Sequence, residues 1–389
     1  MSLQKLSAAQ KQQFVGILEL ICQELEISET RYKEAKKRYE TISDWLTASD
    51  DYRLMFSKIY PQGSFRHGTT VKPIGREEFD VDLVCHLKFV NGDSTPRQIN
   101  KLVGDRLREN GTFENMMEPL NRGWRIKYSN EFHLDITPSI INPACKNGGE
   151  LVPDRKLQDW KPSNPEGYAK WFDEHAALSP IVEDFAAARA EILPFPVQGY
   201  FKGVLRRAVQ IFKHHRDLYF QDKDCKLKPI SIIINTLAAK AYKYCIRNKI
   251  YQSDLDLLMD ILLCMNDFIV VRTINGATFY FVPNETTVGE NFAEKWNEDS
   301  QRAVAFYDWY EYAMAKLNNL WTLAGSGIDI IAEDLSESFG SNVVHRAISR
   351  YTDQVGGARS SGILRAVPGI GLTTAESGTR IHQNTFFGK

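Results

Sequence analysis

The chain has 389 residues, of which 43% are hydrophobic and 25% charged, with a formal net charge of −1. That length supports more than one packed lobe, and the near-neutral balance excludes a global field toward nucleic acid or membrane while leaving local basic clusters open. Six cysteines (Cys22, Cys85, Cys145, Cys225, Cys245 and Cys264) lie scattered without a C-x-x-C pair, which argues against a zinc ribbon or a disulfide framework and fits a reducing cytoplasm.

The first residues are polar rather than signal-like. Ser7-Ala8-Ala9-Gln10 has the form of a capping box, and Phe14, Ile17, Leu18, Ile21 and Leu25 then follow helical spacing. Ile27 to Thr30 predicts a break before a second helix carrying Tyr32, Ala35, Tyr39, Ile42 and Leu46. The basic residues Arg31, Lys33, Lys36, Lys37 and Arg38 on that helix alternate with Glu34 and Glu40, the pattern of a solvated face.

From Phe56 to about Ile141 the pattern turns to strands. Asp80 to Leu87 alternates, and Trp124 to Tyr128 and Phe132 to Ile136 flank Ser129-Asn130 like a hairpin, with a helix through Ile99, Leu102, Val103, Arg106 and Leu107 between. Asn142 to Pro165, rich in Pro, Gly and Asn, reads as a long loop. The chain is then mainly helical to about Ile331. Val204 to Phe212 gives one buried stripe, Pro229 precedes a helix start at Ser231, Ile230 to Leu237 and Ile261 to Val271 read as core, and Phe279 to Asn284 reads as a short strand or connector. Trp296 to Trp321 predicts one long aromatic-rich helix. After Val355 the composition shifts to Gly, Ser, Thr and Ala, a flexible tail in which Thr385-Phe386-Phe387 is an apolar anchor. No run reaches the roughly 20 apolar residues of a membrane span.

The chemistry sits in the strand region. Asp80 and Asp82 alternate on one strand and so share a face, Gln62-Gly63-Ser64 precedes them, and Asp135 lies on a later strand. Carboxylates grouped in this way suit hard divalent cations and their phosphate ligands.

These motifs, from Tyr60-Pro61-Gln62-Gly63-Ser64-Phe65-Arg66-His67-Gly68-Thr69 through Asp80-Val81-Asp82 to Asp135, resemble the DNA polymerase-β-like nucleotidyltransferases. More narrowly, they resemble the bacterial CD-NTases, relatives of cyclic GMP-AMP synthase and oligoadenylate synthase. Leu205 to Lys213 is similar to the family helix whose lysine meets the donor triphosphate, Pro229-Ile230-Ser231 to the helix start whose serine contacts phosphate, and Pro283 to Phe292 to the family's connector. Ile232 departs from the family: several relatives carry there an aromatic that stacks on the donor base, so the resemblance leaves base choice open.

The resemblance implies an α+β chain: a helical spine over residues 1–55, a polymerase-β-like nucleotidyltransferase core with a small mixed sheet over 56–165, a helical lobe over 166–335 and a flexible C-terminal region over 336–389. It implies catalysis and metal binding by Asp80, Asp82 and Asp135. Gln62, Gly63, Ser64, Lys213 and Ser231 are implied to bind nucleotide, and two Mg²⁺ ions, for which Mn²⁺ can substitute, to act as cofactors. The expected reaction joins NTPs, ATP foremost, into a cyclic oligonucleotide second messenger for anti-phage (CBASS) defence. The long helical start and the tail suggest the branch partnered with a HORMA-domain regulator and an AAA+ ATPase, which includes cyclic tri-adenylate producers. A nucleic-acid activator also fits the family. An RNA-tailing or small-molecule nucleotidyltransferase, and a catalytically inactive nucleic-acid sensor, remain the alternatives.

Overall fold

The computed structural model describes residues 8–75, 78–90, 94–128, 132–156, 158–180, 202–319, 323, 326–367, 371–374 and 378–381. In chain order the elements begin with helices α1 (Ala8–Leu25), α2 (Glu29–Thr47) and α3 (Tyr52–Met55), strand β1 (Lys58–Gln62), the single turn α4 (Gly63–His67) and strand β2 (Phe79–Leu87). Helices α5 (Pro96–Arg108) and α6 (Gly111–Glu114) follow, then strands β3 (Met117–Leu120), β4 (Gly123–Tyr128), β5 (Phe132–Ile141), β6 (Glu150–Asp154) and β7 (Asp159–Ser163). Beyond them lie α7 (Pro165–Ala176), α8 (Val204–Tyr219), α9 (Ser231–Asn248) and α10 (Asp254–Met265), and a hairpin of β8 (Val270–Ile274) and β9 (Ala277–Phe281). The chain closes with α11 (Glu294–Glu298), α12 (Gln301–Asn319), α13 (Ile328–Phe339), α14 (Ser341–Ser360) and short strands β10 (Arg365–Val367), β11 (Gly371–Thr373) and β12 (Thr379–Arg380). Among the described residues no helix is long and apolar enough to cross a membrane.

The elements fall into two compact units: Ile27–Glu174 with Phe281–Glu294, and Met1–Glu26 with His175–Tyr280 and Lys295–Lys389. The first holds a seven-stranded mixed sheet in the order β1-β2-β5-β4-β3, with β6 pairing β5 and β7. Among the described strands, β2 and β5 are the parallel pair. Strict alternation along β2 buries Phe79, Val81, Leu83, Cys85 and Leu87 on one face, where Ile99, Val103 and Leu107 of α5 and Ile42 and Leu46 of α2 complete the core. Helix α5 starts on a capping box, Thr95 and Gln98 each satisfying the other's backbone N–H, with Pro at the first helical turn. The Trp124 indole donates to the Asn100 carbonyl at 2.9 Å, locking helix to sheet.

The second unit is mainly helical. Helix α1 packs on α8, α10 and α14, and α8 also packs on α9, α12 and α13. The buried guanidinium of Arg207 donates to Glu19 of α1 at 2.8 Å and to Glu26 at 2.5 Å, so the charge is fully paired.

The expected helical break is present: α1 ends at Leu25, and Ser28 caps α2 by accepting from the Arg31 N–H. The basic face of α2 is solvated as expected, with Lys33–Glu29, Lys36–Glu40 and Arg38–Glu34 pairs. Five expectations need correction. Residues 1–55 are not one spine, because the apolar stripe of α1 is buried in the helical unit while that of α2 covers the sheet. Residues 142–165 are not simply a loop: β6 and β7 form a hairpin that extends the sheet, with Pro153 and Pro162 masking the strand signal. The long aromatic helix is two, α11 and α12, and Val270 and Val271 stand exposed on β8 rather than in the core. The region 336–389 is not a flexible tail as a whole: Phe339, Val344, Ala347, Tyr351, Ala358 and Leu364 are buried, and α14 packs along α1 and α13. Ser7, the Ser129-Asn130 turn, Trp321 and Thr385-Phe386-Phe387 lie outside the described residues.

Candidate functional site

The outer face of the sheet in the first unit gathers the predicted aspartates. Parallel pairing sets Asp82 opposite Asp135 and Asp80 opposite His133, while antiparallel pairing sets Gln62 opposite Asp82. Because alternate residues share a face, Asp80, Asp82 and Asp135 project together. The glycine that follows Gln62 is demanded by this geometry. Gly63 has φ +64°, and a Cβ placed on it would lie 2.3 Å from Asp82 Oδ2, so the backbone of the Gly63-Ser64 turn rests directly against that carboxylate.

Aromatic packing holds the turn in place. Phe65 of α4 stacks on Phe79, the residue before Asp80, with centroids 6.4 Å apart, and Tyr32 of α2 stacks on Phe65 at 5.1 Å. At the other end of α4, His67 is buried against Tyr168 and Phe172 of α7, and Arg66 pairs with Asp173 at 2.8 Å. Ser64 is partly exposed, and its carbonyl accepts from the Gly68 and Thr69 N–H groups, closing the turn.

One side chain at the site carries no sequence motif. Arg125 of β4 is the register partner of Asp135. Its Nε and Nη2 donate to the two oxygens of Asp135 at 2.6 and 2.8 Å, and the same Nη2 reaches Asp80 Oδ1 at 3.1 Å. The Asp135 hydrogen bonds hold the guanidinium still more firmly protonated than usual. Burial pushes the Asp80 carboxyl up; Arg125 and His133 oppose that rise, whereas Asp135 and Glu78 add to it. The Asp80 side chain is about half exposed (51%), so water screens much of this effect. Alternation along β4 was the available signal for Arg125: it shares a parity with Lys127, opposite the buried Trp124 and Ile126.

Donor chemistry fits a divalent cation, since carboxylate oxygens are the ligands Mg²⁺ prefers. As the side chains stand, however, no three His, Cys, Asp or Glu among the described residues converge on a common metal position. At Asp135 the reason is visible, because both oxygens face Arg125.

The other two expected residues belong to the helical unit. Lys213 lies on the buried face of α8, 5% exposed, so it is not an ordinary solvated lysine. Ser231 opens α9 with no side-chain cap on its preceding residue. Arg216 of α8, another residue without a motif, donates to Ser231 Oγ at 3.1 Å and to the Pro229 carbonyl at 2.8 Å, fixing the start of α9.

Carboxylates on adjacent parallel strands, with a glycine-serine turn folded against them, give the first unit the layout of a polymerase-β-like nucleotidyltransferase. Comparison with known proteins narrows that class. Residues 13–175 match the family described as SMODS, the Second Messenger Oligonucleotide or Dinucleotide Synthetase domain. A c-di-GMP synthase of Roseivirga ehrenbergii is 31% identical, over 97% of this chain and 98% of its own length. The structure of the Bradyrhizobium diazoefficiens CD-NTase CdnG in complex with GTP aligns with a TM-score of 0.65 at 20% identity, covering 87% of this chain and 98% of that one. The Escherichia coli CdnC of a CdnC:HORMA-deltaN complex aligns with a TM-score of 0.60 at 12% identity, covering 84% of this chain and 96% of that one. The chain belongs to the CD-NTase family of nucleotidyltransferases, the cyclic dinucleotide and oligonucleotide synthases.

Proposed function

We propose that this synthase joins two GTP molecules into a cyclic dinucleotide, cyclic di-GMP, each acceptor hydroxyl displacing pyrophosphate from the other nucleotide's α-phosphorus so that two pyrophosphates leave, with Mg²⁺ held by Asp80, Asp82 and Asp135. The observation that carries the reaction type is the Asp82–Asp135 register with Gly63 seated against Asp82. Support for guanine comes from the full-length likeness to a c-di-GMP synthase. A bound divalent cation would lower the pKa of the acceptor hydroxyl and offset charge on the phosphoryl oxygens. The chain's own groups do the rest. Gly63 lets its backbone approach the triphosphate, Gln62 and Ser64 flank that approach, and the Ser64 hydroxyl and N–H donate to phosphate oxygens. Lys213 and Ser231 serve the donor phosphates, a role supported by the fixed position of Ser231 against Arg216.

The test is incubation of the purified protein with each NTP and with all four, in Mg²⁺ or Mn²⁺, without RNA or another acceptor. A phosphatase-resistant cyclic di-GMP identified by mass spectrometry is the expected product. Cyclic tri-adenylate made from ATP instead would restore the reading suggested by the HORMA-partnered branch, with its AAA+ ATPase. Products that form only when an RNA or small-molecule acceptor is supplied would overturn cyclisation. A role in anti-phage defence belongs to the same proposal, and a phage challenge of cells expressing the wild type or an Asp82→Asn variant tests it.

A further inference from the structure

We propose that Arg125 is a positioning residue that competes with divalent cations for Asp135 and Asp80, and thereby couples cation loading to nucleotide binding. The inference rests on the carboxylate reading of the preceding section. Strand register places the two partners side by side, so the contact does not depend on a loop. The planar guanidinium covers both oxygens of Asp135 and touches Asp80, an arrangement the point charge of a lysine cannot reproduce. The pair is not dissolved in solvent: the side chains of Arg125 and Asp135 are 23% and 15% exposed, which leaves their attraction incompletely screened.

A cation entering this site needs the oxygens that Arg125 occupies, and it meets a fixed positive charge beside them. Either the guanidinium withdraws or the cation binds weakly. Withdrawal leaves Arg125 tethered to β4 at the edge of the carboxylates, and a bidentate guanidinium is a strong partner for phosphate. An arriving triphosphate therefore draws Arg125 away from Asp135 as its cation takes the vacated oxygens. Each ligand favours the same arrangement of one side chain, so each strengthens the other by an equal factor.

Mn²⁺ affinity, read by electron paramagnetic resonance of the free ion, tests this directly, without turnover. In the absence of nucleotide, Arg125→Gln should bind Mn²⁺ about tenfold more tightly than wild type, the scale of a lost charge-assisted contact, with Arg125→Lys between them. A non-hydrolysable GTP analogue should raise Mn²⁺ affinity strongly in wild type and much less in Arg125→Gln. With chelator present, Arg125→Gln should melt below wild type and recover when Mg²⁺ is added; if that variant does not fold, Arg125→Lys carries the comparison. Equal or weaker Mn²⁺ affinity in the folded variant, or an undiminished nucleotide effect, overturns the role of Arg125. Asp82→Asn separates the two claims: if it binds Mn²⁺ as wild type does, the carboxylate reading itself is wrong.

Discussion

The aspartate cluster of the sheet unit and the histidine pair of the helical unit handle polar groups in opposite ways. In the sheet unit, the Asp80, Asp82 and Asp135 side chains keep some exposure to water, and Arg125 pairs with Asp80 and Asp135. In the helical unit, His214 and His215 of α8 are sealed among aromatic side chains. Trp309 donates its indole N–H to His215 Nδ1 at 3.1 Å, and His214 pairs through Nε2 with the Phe339 carbonyl at 2.9 Å. Burial lowers both imidazole pKa values, His215 to about 4, where His214 and Lys316 add to the fall. The carboxylates of the proposed cation site are left wet and compensated, whereas this pair of imidazoles, which ties α8 to α12 and α13, is dried and kept neutral.

The largest effect expected from breaking this comparison is on the wet side. Asp82→Asn should reduce turnover by about 1,000-fold or more while leaving the denaturant midpoint unchanged or slightly raised, because it removes a ligand charge and no packing. Pyrophosphate release and urea unfolding, measured on the same preparation, check both halves. A variant that keeps its rate would remove Asp82 from the site.

Gly63→Ala comes next. The added methyl meets Asp82 Oδ2 at 2.3 Å and the left-handed backbone disfavours it, so a loss of about 1–2 kcal/mol in stability is expected. Displacing the turn from the carboxylates should cost about 100-fold in turnover. Gly75→Ala is the control: φ is +78° there, but nothing among the described residues lies within 4 Å of the new methyl. It should show the backbone strain without the catalytic loss, and equal losses in the two variants would refute the close approach at Gly63.

Much of the sheet's face was readable from spacing alone. Period-two alternation marks Asp80 and Asp82 as neighbours on one face whatever the fold, and the hairpin pattern brings Asp135 to the next strands. Alternation could place Arg125 on the open face of β4 but named no partner for it, and nothing marked Arg216; only strand register in one case and the α8–α9 packing in the other gives the arginine a partner. The C-terminal region misled for a related reason. Its glycines and serines lower local apolar content, yet Val344, Ala347, Tyr351 and Ala358 recur at helical spacing and find a covering face on distant α1 and α13. Composition registers the first fact and not the second. The β6–β7 hairpin failed similarly, since proline in a strand reads as a breaker until an edge position accommodates it.

On the dry side, His215 predicts a pH dependence. Its folded pKa, about 4, lies below the ordinary value of 6.5, so between these values the unfolded chain binds a proton that the folded chain refuses. Stability should be fully present above pH 6.5 and fall as pH drops toward 4, by about 3 kcal/mol from this residue. Protonating Nδ1 would also forfeit the Trp309 hydrogen bond. Urea titrations at pH 7, 6 and 5 on wild type and His215→Gln check the sign: the variant should lose less stability on acidification. Identical slopes would show that the imidazole is not sealed.

The smallest effect tests whether surface charge contributes to the C-terminal packing. Glu24 of α1 accepts from Arg346 at 2.9 Å and from Arg350 at 3.0 Å, both on α14. The two arginine side chains are 56% and 41% exposed, so solvent and salt screen the pairs even though Glu24 itself is mostly covered. If the apolar face of α14 does the holding, Glu24→Gln should cost no more than about 1 kcal/mol, because the amide oxygen still accepts one hydrogen bond. The difference from wild type should shrink further between about 0.05 and about 0.5 M salt, as the Debye length contracts to about 4 Å, close to the pair's own separation. A contrasting Arg207→Met, which strands Glu19 beside a buried apolar side chain and leaves Glu26 with Lys202 alone, should cost several-fold more and hardly respond to salt. Matching costs for the two variants would mean that the α1–α14 contact depends on Glu24 as a sealed charge, and the division drawn between wet and dry polar groups would not hold at this interface.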